Sequence, residues 1–208
     1  MRKLCLITLA ALSVACAARG AGQLVTVVND GKNALGVDLA TRTLQTIDYA
    51  HHEIHGGNHY HSYVTDAELD TDETNLVLIV TADSAKWPHI TLNFSCSVAA
   101  TMKRFAGVIS TNLGTGLAEH NNDQNSTNVS TTVMYSANPA FVTSWGTQKD
   151  ETLIGSTLPQ AKSGGGGSRE DEFIIAQNST NAVLLIGNAD SGRANLRFTW
   201  YMHTNKTD

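Results

Sequence analysis

The sequence predicts an all-β fold: a single β-sandwich or jelly-roll-like domain behind an N-terminal signal-like segment. Three observations predict it. Short runs rich in β-branched residues recur along the chain, punctuated by Gly, Asn and Asp. Two runs alternate apolar and polar residues with a period of two, as a strand with one face on a core must. No segment shows a capped apolar stripe at helical spacing.

The elements follow in chain order. Met1-Arg2-Lys3 is basic, Leu4–Ala18 is almost wholly apolar, and small residues follow through Gly22. That order describes a secretory signal over residues 1–22, and the apolar run is shorter than the ~20 residues a bilayer span needs. Ser13-Val14-Ala15-Cys16 also resembles a lipoprotein box, although Ser13 stands where a large apolar residue is usual. Residues 23–208 are then one β-rich domain. Gln23–Asn29 reads as a strand closed by an Asn-Asp-Gly turn, and Ala34–Val37 and Thr41–Ile47 are further short strands. Leu76–Val80 (LVLIV) is a continuous apolar run, which suits a strand buried on both faces. In His89–Val98, Ile90, Leu92, Phe94, Cys96 and Val98 share one side. Met102–Ser110 and Thr131–Tyr135 are strand candidates, separated by the polar loop Asn121–Ser130. Ser163–Ser168 (SGGGGS) reads as a long loop within the domain, because strands occur on both sides of it. Ala182–Ile186 is a strand and Asn188–Gly192 a hairpin-like connection. In the last strand Leu196, Phe198, Trp200 and Met202 alternate with Asn195, Arg197, Thr199, Tyr201 and His203.

Composition narrows the function. The net charge is −5 and charged residues make up 16% of the 208, so the chain lacks the basic footprint of a nucleic-acid binder and the charge density of a disordered one. Loss of residues 1–22 removes three basic residues and no acid. It also removes Cys5 and Cys16, leaving Cys96 without an intrachain partner. The mature chain is therefore expected to rely on its core or on oligomerisation, without a membrane span.

The strongest anomaly is the run from His51 to His61, which holds five of the eight histidines. His51, His52, His55, His59 and His61 are candidate ligands for zinc, since neutral imidazoles in that number make a closed site. His59 and His61 share a face on a strand. His51 and His55 share one only on a helix, and Gly56-Gly57 oppose its continuation. The spacing is not that of a zinc protease, because His52 and His55 are separated by two residues. The other reading of these histidines is polar packing against backbone or at a subunit contact. Asp66, Glu68, Asp70, Asp72 and Glu73 read as a solvated acidic loop, without the spacing of a calcium-binding loop. Cys96 reads as an inert core thiol. Trp87, Trp200 and Tyr201 are candidate interface anchors, and together with Trp145 an alternative sugar-stacking platform.

Four stretches, taken in order, carry a resemblance. They are Ile47–His55 followed by Gly57-Asn58-His59-Tyr60; Lys86-Trp87-Pro88-His89; Asn121–Ser126; and Arg169–Ile175 after a glycine-rich lead-in, closing with Trp200–Lys206. Their order and spacing resemble a family of small tailed-phage virion proteins, mostly uncharacterised, over about Ala34 to Lys206. Met202 departs from the pattern, where a Glu is expected, and an exportable N-terminus is foreign to a capsid protein. The resemblance implies a capsid decoration or accessory protein in the virion. Its partners would be itself, as a homo-oligomer such as a trimer, and a capsid or other virion protein. It implies no catalytic residue and no cofactor, and hence no enzyme. A genuine signal would instead place the chain outside the cell, as a carbohydrate-binding β-sandwich or an exported metal-binding protein.

Overall fold

A computed structural model describes residues 27–29, 33–35, 37–38, 43–44, 49–155 and 163–203. The signal-like segment lies outside them. The chain divides into two units, Met1–Ile47 and Asp48–Asp208. In the first unit, β1 (Val27–Asn29) pairs antiparallel with β2 (Asn33–Leu35), and β3 (Val37–Asp38) with β4 (Thr43–Leu44). The predicted turn at Asn29-Asp30-Gly31 thus falls between two paired strands.

The second unit begins with a helix, α1 (Tyr49–His55), followed by β5 (His59–Leu69), β6 (Thr74–Thr81), β7 (Trp87–Cys96) and β8 (Ala100–Ala106). The short strands β9 (Ile109–Ser110), β10 (Thr115–Gly116) and β11 (His120–Asn121) lead to β12 (Thr132–Ala137), β13 (Val142–Ser144) and β14 (Thr147–Ile154). The chain ends with β15 (Ser163–Gly166), β16 (Phe173–Ile174), β17 (Thr180–Gly187) and β18 (Gly192–His203). One antiparallel sheet has the order β10-β12-β6-β17-β8-β14. The other has β11-β5-β18-β7-β15, with β16 also on the edge of β7. The predicted all-β sandwich is the fold.

Period-two alternation decides what lies between the sheets. Val77 and Ile79 of β6, and Val183 and Leu185 of β17, meet Ile90 and Leu92 of β7 and Leu196, Phe198 and Trp200 of β18 in one buried core. Phe198 and Trp200 are fully buried, each stabilising the fold by roughly 1.5–3 kcal/mol through lost apolar hydration. Leu76, Leu78, Ala182 and Leu184 face the other way, into a second cluster with Val108, Trp145 and Phe105. The continuous apolar run is therefore buried on both faces, as its composition predicts.

Three connections, Asp70–Glu73, Ser97–Ala99 and Asn188–Ser191, carry the chain from one sheet to the other at the same end of the sandwich. The Asn188–Gly192 connection is thus a corner between sheets, and its strands are not a hairpin. A Cβ on Gly187 would lie 2.1 Å from the Asp70 carbonyl oxygen, so glycine is required where the corners touch. The acidic loop has a structural use here. Asp70 accepts from the Ser191 amide at 2.8 Å, and Asp190 from the Thr71 amide at 3.0 Å. The contact with Thr71 holds the Asp190 carboxyl below its usual range.

Two elements differ from the sequence expectation. Residues 49–55 form a helix, ended by a Schellman motif: the Asn58 amide donates to Glu53 O and the Gly57 amide to Ile54 O, with Gly57 at φ +66°. The glycines stop this helix, as expected, but only after it has run two turns. The glycine-rich run does not stay a loop, because Ser163–Gly166 pairs with Cys96–Asn93 as a strand. Glycine supplies no packing, but its backbone completes the hydrogen-bond ladder that the β7 edge would otherwise leave open. The first sheet ends at β14, whose edge is protected by exposed charge and a register shift between Gln148 and Asp150.

Candidate functional site

The polar residues of β5, β7 and β18 share the outer face of the second sheet, and their cross-strand register sorts them into rows. Tyr201 is paired with His59 on one side and His89 on the other. Its ring stacks on both, with centroids 4.8 Å from His89 and 6.4 Å from His59. His203 meets His89 edge-on at 5.9 Å. In the next row the Thr91 hydroxyl donates to the Thr199 hydroxyl at 3.2 Å, and His61 lies across from Thr199. His61 stacks on His120 of β11 at 5.2 Å, and His120 on Tyr63 at 6.4 Å.

Glu172 reaches this face from the segment between the 3₁₀ turn Arg169–Asp171 and β16. It accepts the Nδ1 proton of His89 at 2.6 Å and the Tyr201 hydroxyl at 2.9 Å. His89 Nε2 is buried without a hydrogen-bond partner among the described residues. At the other end of the row, the Asn122 amide lies between two imidazoles. Its Nδ2 donates to His59 Nδ1 and its Oδ1 accepts from His61 Nδ1, each at 2.5 Å. That geometry puts the proton of neutral His59 on Nε2 and that of His61 on Nδ1. Burial lowers the pKa of His59, with the nearby His61 adding to the effect and Glu53 opposing it. Burial also lowers His61, against the Asn122 hydrogen bond.

The Asn121–Ser130 loop is held in place by the turn that ends α1. Asn121 Nδ2 donates to the Gly57 carbonyl at 2.9 Å, and Asn128 Nδ2 to that of Gly56 at 3.3 Å. Asn121 and Asp123 in turn accept amides two residues ahead of themselves, the local bonding that Asn and Asp favour in turns. A Cβ on Gly57 would fall 2.2 Å from the Ser126 hydroxyl, so the loop seats only against glycine.

The candidate ligands are spread over this surface. His52 and His55 are exposed on α1, with His52 Nδ1 3.5 Å from the buried Glu53. His59 and His61 sit on β5, sharing Asn122, and the His51 side chain lies outside the described residues. Among the described residues no group of three or more His, Cys, Asp or Glu is placed to hold a metal ion. Of the candidate interface aromatics, Trp200 is wholly internal and donates its indole proton to Ser130 at 2.9 Å. It is unavailable to a neighbouring molecule or to a sugar. Tyr201 is buried under Glu172, and Trp87 is half-buried. Cys96 is a buried thiol, as its strand position predicts. Glu172, Asn122, Glu119, His120 and Tyr63 were not singled out as site residues. The one signal available is that Asn122 and Glu172 fall within the four stretches quoted above, whose described residues include His59, His89 and Tyr201 of this network.

No family model, curated protein or solved structure matches the chain. Among the described residues no helix is long and apolar enough to cross a membrane.

Proposed function

We propose that the protein is a non-enzymatic structural component of a virion, an accessory or decoration protein that binds a capsid lattice and copies of itself. The observation that carries this reading is the outer face of the second sheet. At one end its rings are buried and locked together. Farther along, the cross-strand pairs Thr91–Thr199 and Asn195–Thr65 reach solvent with Ser95 and Arg197, so that part of the face is a pre-ordered surface offering hydrogen bonds. A surface whose rotamers are already fixed loses little entropy on docking. The resemblance of the four stretches to tailed-phage virion proteins supports the same reading, since those stretches contribute to the locked end of the face. In this role the chain is an oligomer, and its place is the particle.

The test is mass spectrometry of particles purified on a density gradient from the producing culture, paired with light scattering of the isolated protein. The protein co-purifying in fixed stoichiometry with particles, and self-associating in solution, is the expected result. A monomer found in the medium and missing from particles overturns it.

A further inference from the structure

We propose that the groove between Tyr63 and the Asp123–Ser126 loop is a binding site for pyranose glycans, a second recognition site beside the lattice contact, at the β11 edge of the same sheet face. The groove is an open cleft of about 550 Å³, bounded by His61, Tyr63, Glu119, His120, Asp123 and Gln124 among others. That size lies within the range of small-molecule sites.

Three features select a sugar. The first is a ring platform. Tyr63 is 54% exposed although it is a large aromatic, and its ring stacks at 6.4 Å on His120, which in turn stacks on His61. A pyranose has a face of C–H groups that packs on such a ring while its hydroxyls project around the rim. The second is a set of planar polar groups with spare hydrogen-bonding capacity. Glu119 Oε1 is buried without a partner among the described residues. The Gln124 side chain is exposed at the rim. Burial raises the Glu119 carboxyl to about 7, so near neutrality it both donates and accepts, as a sugar hydroxyl does. The third is charge. The Asp123 carboxylate in the lining, in a chain of net charge −5, disfavours phosphate and nucleic acid and leaves a neutral polyhydroxyl ligand favoured. The wall that carries Asp123 and Gln124 is anchored through Asn121 and Asn128 to the α1 turn, so the groove is pre-organised.

The experiment uses the full chain on an array of defined hexose and N-acetylhexosamine oligosaccharides, followed by titration calorimetry with the oligosaccharide that binds. Binding is expected to fall tenfold or more in Tyr63→Ala and several-fold in Gln124→Ala. Tyr63→Phe is expected to keep most of it, and the distant surface variant Leu153→Ala to be unchanged. Circular dichroism of each variant checks that the fold is kept. No oligosaccharide bound at millimolar concentration, or binding that survives Tyr63→Ala, overturns the proposal. Presence or absence of the protein in particles bears only on the structural role, so the two readings fail separately.

Discussion

Glu172 accepts the Nδ1 proton of His89 across 83 residues of sequence, at 2.6 Å, and fastens the segment that precedes β16 to the outer face of β7. The same carboxylate takes the Tyr201 hydroxyl, so one side chain satisfies two polar groups on neighbouring strands.

Glu172→Ala removes the short acceptor of both donors in a region where the His89 and Glu172 side chains are only 13% and 14% exposed. The expected cost is about 1–3 kcal/mol, the penalty of an unsatisfied buried polar group. Urea unfolding at neutral pH measures it. Glu172→Gln, which keeps an acceptor, should recover part of the loss. Full wild-type stability in the alanine variant would show that the pair contributes nothing.

Stability should depend on pH in two opposing arms. His59 and His61 have folded-state pKa values below the usual 6.5, so the unfolded chain binds more protons and stability falls as pH drops below about 6.5. Glu119 is raised from 4.5 to about 7, so the folded chain binds the extra proton and stability falls as pH climbs from about 4.5 through 7. The two oppose each other between about pH 4.5 and 6.5, so melting temperatures from pH 4 to 9 are compared with those of a variant lacking the Glu119 carboxyl. Glu119→Gln should flatten the alkaline arm and leave the acid arm in place.

Gly57→Ala should destabilise the α1 turn and the Asn121–Ser130 loop together. The residue sits at φ +66°, and its Cβ would meet Ser126. A loss of about 1–3 kcal/mol is expected from the backbone strain, with faster amide exchange at Asn121 and Asn128 as the local readout. Gly107→Ala, at φ +73° with nothing within 4 Å of the new Cβ, carries the conformational cost alone and is the control.

Trp200→Ala should cost about 3–5 kcal/mol, since it opens a cavity in the core between the sheets. Trp200→Phe should cost less and isolate the indole hydrogen bond to Ser130. Thermal unfolding followed by far-ultraviolet circular dichroism separates the two.

The strands are the legible part of this sequence. LVLIV and the alternations at His89–Val98 and Asn195–His203 each contain their own pattern, because a period of two survives without any knowledge of partners. The helix at Tyr49–His55 was not legible: at 7 residues it is too short for a stripe to repeat. The strand at Ser163–Gly166 was hidden for another reason, since glycines have no side-chain pattern and the pairing is imposed by the open edge of β7. The polar network was legible only as separate parts. A histidine run suggests a metal by composition alone; that His59 and His61 share an asparagine 61 residues beyond His61 is a contact that sequence spacing does not encode.

The glycine strand has a consequence for assembly. Along Gly164–Gly166, the rim beside β7 is a ribbon of bare peptide. It completes the ladder of β7 and moves the outer row of peptide groups one strand further, onto β15, the last strand in that sheet's order among the described residues. A further strand added along that margin would meet peptide groups and no side chains.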